Sequence, residues 1–218
     1  MNPDLDRQAK SADIALFLEG TFPYVSGGVS SWVDQMIRAF PEYTFAVVFI
    51  GSRRQDYGQP RYKLPDNVVH FEEHYIHESS FPPPARGSAD ERQAFEKVVL
   101  MHDCLRKEKD LETIGRLMRE IIPMMRKDGG VSEQQFLYGK RSWDFTTEQY
   151  ERFCTDPSFT DYFWTVRIMH KPLWQLARIS ESLIPVKIYH TASTGYAGFL
   201  GALSHFRSGC PLLVSEHG

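Results

Sequence analysis

The sequence predicts an α/β protein built on a Rossmann-like doubly wound parallel sheet and interrupted by a helical insertion. Three observations carry that expectation. Short apolar runs bounded by turn signals stand at residues 14–18, 45–50, 68–71, 186–189 and 212–214. Runs that are apolar at every position are what strands need when helices cover both faces of a sheet. Helical periodicity separates the first run from the second and the fourth from the fifth, which gives two strand-helix-strand units. The long middle of the chain, in contrast, carries helical patterns and no strand pattern.

The elements follow in order. "IALFL" (Ile14 to Leu18) is the first strand, and after Glu19 it hands over to "GTFPYVSGGVSSWV", Gly20 to Val33, which is longer and richer in glycine and serine than a turn requires. Gly27 and Gly28 carry no Cβ, so their backbone N–H groups can approach a phosphate or a sugar hydroxyl closely; a tight turn at positive φ is the competing use of such a pair. Val33, Met36, Ile37 and Phe40 recur at helical spacing and predict one helix, with Ser31 as N-cap and Asp34 completing an imperfect capping box. "FAVVFI" and "VVHF" supply the second and third strands. The proline-rich "SSFPPPARGS" leads into the insertion, expected over about residues 89–181. Its apolar stripes are Phe95, Val98, Val99, His102 and Leu105, then Leu111, Ile114, Leu117, Ile121 and Met125. A third stripe, Tyr162, Val166, Met169, Leu173 and Leu176, contains Pro172, which is expected to kink it. "VKIY", a helix with Tyr196, Phe199, Leu200 and Leu203 on one face, and "LLV" complete the second unit.

Composition narrows the function. With 218 residues, 42% of them hydrophobic, the chain has enough apolar material for a sizeable core. A net charge of -3 provides no basic face for the phosphates of a nucleic acid, which is therefore not an expected partner. The three cysteines are far apart and odd in number, and "HYIH" and "HDC" lack a ligand spacing, so neither a disulfide framework nor a metal is expected. The apolar stretch before Glu19 is too short for a signal peptide or a membrane span, which points to the cytoplasm.

In an open α/β sheet, ligands bind beyond the carboxyl ends of the strands. Residues 19–28, 190–194 and 215–218 each follow a predicted strand and should meet on one rim. Tyr24, Gly27, Gly28, His190, Thr194 and Glu216 are the candidate substrate-binding residues, and His217 is the candidate catalytic residue. A histidine there can bond a sugar hydroxyl or act near neutral pH, although a hydrogen-bonded core histidine is the competing role. Glu19 and Glu216 have two open uses, as acid or base and as anchors for neighbouring loop amides. Neither GxGxxG nor a P-loop occurs, so a dinucleotide site is not indicated.

Taken together, "LFLEGTFPYVSGGVSSWVDQMI", "VVFIGS", "YHTASTGYAG" and "PLLVSEHG" resemble the N-terminal half of PelF-type glycosyltransferases, the GT-B, family 4 retaining enzymes of Pel exopolysaccharide synthesis. The resemblance spans the chain and extends to the helical insertion. It implies transfer of a hexose or N-acetylhexosamine from a nucleotide sugar, UDP-linked, to a growing saccharide acceptor, without a metal ion or other cofactor. Residue by residue, it puts Gly27 and Gly28 opposite the donor diphosphate, His217 near the reacting sugar and His190 on the acceptor side. Pro23 and Tyr24 fall in the same first loop, which is expected to close over substrate. Residues 1–218 then read as one GT-B N-terminal domain, inactive alone, whose donor contacts belong to a C-terminal domain outside this chain. Expected partners are that domain and the inner-membrane Pel synthesis proteins, which would recruit the enzyme to the membrane face. Two other functions compete: a non-catalytic module that docks such a complex through the insertion, and glycogen-synthase-like glucan elongation.

Overall fold

The computed structural model describes residues 5–78, 89–106, 111–125, 132–155 and 158–216. Two compact units share the chain: Met1–Ser79 with Ile179–Gly218, and Ser80–Arg178. The strands are β1 (Ile14–Glu19), β2 (Phe45–Gly51), β3 (Val68–Tyr75), β4 (Ile188–Thr191) and β5 (Leu212–Val214). The helices are α1 (Gly28–Ala39), α2 (Ala89–Arg106), α3 (Leu111–Ile121), α4 (Glu133–Tyr138), α5 (Lys140–Phe153), α6 (Phe159–Ser182) and α7 (Tyr196–Ser208).

In the first unit the strands form one sheet in the order β3-β2-β1-β4-β5, every neighbouring pair parallel. This is a Rossmann-like α/β architecture. Every residue of β2 and the central four of β1 are buried, as continuous apolar runs allow when both faces are covered. Leu16, Leu18, Val47 and Phe49 pack with Val33 and Ile37 of α1 on one face. On the other, α7 comes so close that a Cβ at Gly201 would lie 2.8 Å from Leu212 Cδ1. Asp13 fixes the strand entrances: its carboxylate accepts from Thr44 N at 2.9 Å and Thr44 Oγ1 at 2.7 Å and pairs with Lys187 at 2.7 Å. Those bonds, Lys187 first, hold the carboxyl well below the usual range.

Three boundaries differ from the sequence expectation. β4 starts at Ile188, two residues later than expected, and takes in His190 and Thr191. Lys187 and Ile188 donate to Asp13 O at 3.0 and 3.2 Å before the ladder opens at Ile14 and Ile188. Both polar side chains are accommodated because each is bonded: a His190 ring nitrogen lies 2.9 Å from Ser215 Oγ, and Thr191 Oγ1 donates to Ser193 O at 2.7 Å. β3 runs on through Glu72, Glu73 and His74 to Tyr75, which an edge strand permits because its polar side chains reach water. α1 begins at Gly28 with Gly27 as N-cap, not at Ser31. Ser31 N already donates to Gly27 O at 2.9 Å, Ser31 Oγ meets Tyr62 OH at 3.0 Å, and Asp34 pairs with Arg38 at 2.9 Å.

The second unit is helical throughout its described residues. Met101, Cys104 and Leu117 form a cluster joined by Ile114, Met118 and Ile121, so α2 packs on α3. α4 opens on a capping box, Ser132 and Gln135 exchanging bonds of 2.8 and 3.2 Å. α6 corrects the third stripe: Met169 is 58% exposed, and Arg167 turns inward instead. The guanidinium of Arg167 donates to Ser142 Oγ at 2.9 Å and lies 4.8 Å from the Phe163 ring, which makes a charged residue tolerable there. Beside it, the His170 ring sits 5.7 Å from His102 and 5.5 Å from Phe136.

Two stability measurements follow. A Cβ at Gly51 would meet the rings of Tyr57, Phe49 and Tyr75 at 2.7 to 2.9 Å. Gly51→Ala is therefore expected to cost about 1–3 kcal/mol in urea unfolding through overpacking. Gly58→Ala, with open space around it, should stay within about 0.5 kcal/mol of the parent. Burial, helped by the charges of His102 and Arg167, pushes His170 down from 6.5 to about 4. The folded ring stays neutral where the unfolded chain takes up a proton, so its contribution is full above pH 6.5 and falls as pH drops toward 4, by about 3 kcal/mol in all. His170→Phe should flatten that acid slope; an unchanged slope would show that another group causes it.

Candidate functional site

The sheet order reverses between β1 and β4, and the crevice at such a switch point is where open α/β sheets hold ligands. A cleft of about 340 Å³ lies there. Glu19 and Thr21 line it from the end of β1, Val29 from the first turn of α1, Thr194 and Gly195 from the β4–α7 turn, and Glu216 from beyond β5. Two helix N-termini border this crevice, and they differ.

The N-terminus of α7 is closed from within the protein. Glu19 Oε2 accepts from Ala197 N at 3.1 Å, so the last residue of β1 caps a helix that starts far along the chain. Gly195, the N-cap position, has to be glycine for this: a Cβ would sit 2.6 Å from Glu19 Oε2. Burial and the nearby Glu19 charge raise the pKa of Tyr196, the first residue of α7.

The N-terminus of α1 is open. Its N-cap Gly27 offers no side chain and its first turn contains no acid. Gly27 is extended, with φ 175° and ψ 177°, and no heavy atom lies within 4 Å of a Cβ built at Gly27 or Gly28. The tight-turn use of the pair is thus excluded, because the positive φ in this loop falls on Gly20 at 63°. Nothing in the fold itself crowds out a side chain at either glycine.

The profile of a domain of unknown function, DUF3492, matches residues 12–218. The chain belongs to this family. No curated protein and no solved structure matches it.

In this DUF3492 chain the sequence candidates separate into groups. Thr194 and Glu216 line the cleft, and Gly27 and Gly28 stand at the α1 terminus beside Val29. His190 does not follow its strand as expected but lies within β4, 6% exposed, bonded to Ser215 and edge-on to Trp32 at 5.8 Å. It reaches the rim through Ser215. Tyr24 belongs to a separate groove with Val25, Asp56 and Tyr57. The Tyr24 hydroxyl donates to Glu73 and its ring rests 4.8 Å from Phe49; burial and Glu73 raise its pKa strongly. His217 lies outside the described residues.

Sequence reasoning passed over Thr21, Ser193 and Gly195. Among the described residues, Thr21 Oγ1 and Ser193 Oγ are buried without a hydrogen-bond partner, and both residues line the DUF3492 cleft. The available signal was "STG" directly before a helix, a place where a hydroxyl or a glycine meets orphan amides. Among the described residues no group of three His, Cys, Asp or Glu side chains is placed to hold a metal ion. No described helix is long and apolar enough to cross a membrane.

Removing the tertiary cap tests this geometry. Glu19→Ala should destabilise the protein by about 1 kcal/mol, the usual effect of losing a helix cap. Glu19→Gln, whose amide oxygen can still accept from Ala197 N, should recover most of that in the same urea titration.

Proposed function

We propose that this chain is the acceptor-side domain of a retaining, PelF-type glycosyltransferase that moves a hexose or N-acetylhexosamine from a UDP-linked sugar to a growing exopolysaccharide. The observation that carries the reading is the contrast between the two helix N-termini at the switch point. α7 is closed by Glu19, whereas α1 stands open behind two glycines with empty space where side chains would be. A diphosphate placed at α1 would accept bonds from its unpaired amides and lie on the positive end of its dipole.

In the transfer, the bond from the anomeric carbon to the diphosphate oxygen breaks as the bond to the acceptor hydroxyl oxygen forms, and the hydroxyl proton passes to the departing diphosphate. Negative charge then gathers on the departing diphosphate, where fixed amide donors stabilise it most. Thr194 and Glu216 have the chemistry to bond sugar hydroxyls, and His190 holds Ser215 under the rim. The resemblance gives His217 a place near the reacting sugar and gives a second domain most of the donor contacts. One observation favours docking to a membrane synthesis complex as a second reading: Trp164, Ile168 and Met169 of α6 are 49%, 53% and 58% exposed.

The test is nucleoside diphosphate release by the full-length protein from a panel of nucleotide sugars. Gly28→Val, whose side chain would fill the open space through which a diphosphate approaches the α1 amides, should lower kcat by roughly 100-fold with the melting temperature unchanged, about the effect of one transition-state hydrogen bond not being made. His217→Ala should also impair turnover. Full activity in both variants would refute the site. A folded full-length protein silent with every donor and acceptor would favour the docking reading.

A further inference from the structure

The cleft between β1 and β4 has a charge character that the α1 terminus lacks. Two carboxylates, Glu19 and Glu216, line it, and none of its described lining residues is a Lys, Arg or His. The one helix N-terminus that Glu19 touches, that of α7, already has its Ala197 amide occupied by Glu19 itself. Among the described residues, Glu19 Oε2 is engaged by Ala197 N and Oε1 has no hydrogen-bond donor. Thr21 Oγ1 and Ser193 Oγ, enclosed in the wall of the cleft, have no hydrogen-bond partner among the described residues.

These features select a ligand by charge and by hydrogen-bonding type. An anion entering the cleft would lose water next to Glu216 and to Glu19, whose charge the α7 terminus offsets only in part, with no Lys, Arg or His among the described lining residues to compensate. A sugar ring carries O–H donors that match free carboxylate oxygens in charge-assisted bonds, and oxygens that can accept from the exposed Thr194 hydroxyl. We infer that this cleft takes a hydroxyl-bearing, uncharged sugar ring and rejects anionic ones, and that Glu19 sets the preference. Phosphate, on this assignment, belongs at α1 and the ring belongs beside Glu19. The inference rests on the glycosyltransferase reading and goes beyond it by naming the residue that discriminates and the class of sugar it excludes.

The experiment is an NMR titration of the protein with N-acetylglucosamine and, separately, with glucuronate, followed at the backbone amides of Thr21, Val29 and Thr194. N-acetylglucosamine should shift these resonances and glucuronate should bind at least about tenfold more weakly, as expected for a like-charge clash. Glu19→Gln keeps an acceptor for Ala197 N while removing the charge, and should bring the two sugars to within about threefold of each other. Glu216→Gln, at an exposed position that leaves the α7 cap untouched, should narrow the gap in the same direction. Equal binding of both sugars, a preference unchanged by Glu19→Gln in a folded protein, or silence of these amides with both sugars would each overturn the inference. Turnover in the full-length protein with silent amides removes this inference and leaves the transferase reading. Selective sugar binding without turnover does the reverse.

Discussion

The carboxylate of Glu19, seated on the Ala197 amide, is the contact on which the site's shape depends. It joins the end of β1 to the start of α7 across the point where the sheet changes direction, and so fixes one wall of the crevice. Gly195 follows from it, because any side chain there would collide with the carboxylate. At the opposite end of β1, Asp13 ties the entrances of β2 and β4 through Thr44 and Lys187. The central strand is thus an apolar segment framed by two acids, each with a structural partner in a different part of the chain. Apolar burial supplies the stability of such a strand, and the acids supply its registration.

The two units solve burial differently. The first relies on aliphatic and aromatic strands covered by α1 and α7. The second admits polar groups among its helices: Arg167 on Ser142, Thr146 on the Ser142 carbonyl, and Gln149 accepting from Arg106. Groups of this kind stabilise only when each finds a partner, so removing Arg167, Ser142 or Arg106 would strand a buried polar group among these helices.

Much of the fold was legible because five apolar runs and the helical spacings are one-dimensional signals. The same signals failed at polar residues inside elements. His190 and Thr191 read as rim residues, since nothing local shows that Ser215 and Ser193 O will satisfy them. Met169 read as core, whereas Arg167 is the residue that turns inward, onto Ser142. Thr194, Glu216 and the glycine pair could be placed at the rim from the strand ends alone. The cap on α7 could not: it joins Glu19 to Ala197 across most of the chain, and a lone acid after a strand carries no mark of its distant partner.

The loop that opens the site is fastened along its first half. Phe22 is fully buried, Pro23 O accepts from Arg61 N at 2.8 Å and Tyr62 N at 3.2 Å, and Tyr24 is held by Glu73. Glu73 is in turn fixed by Arg54 at 2.7 Å and by the Tyr75 hydroxyl at 3.2 Å. Closure of the whole loop would break all of these bonds, and the exposed part of the loop is the short run from Val25 to Gly27. Immobilising a residue's backbone costs about 1–2 kcal/mol, and here most of that entropy is lost on folding rather than on binding. On the proposed reading, a ligand arriving at α1 would meet a nearly finished surface, and its affinity would be set by contacts rather than by the ordering of the loop.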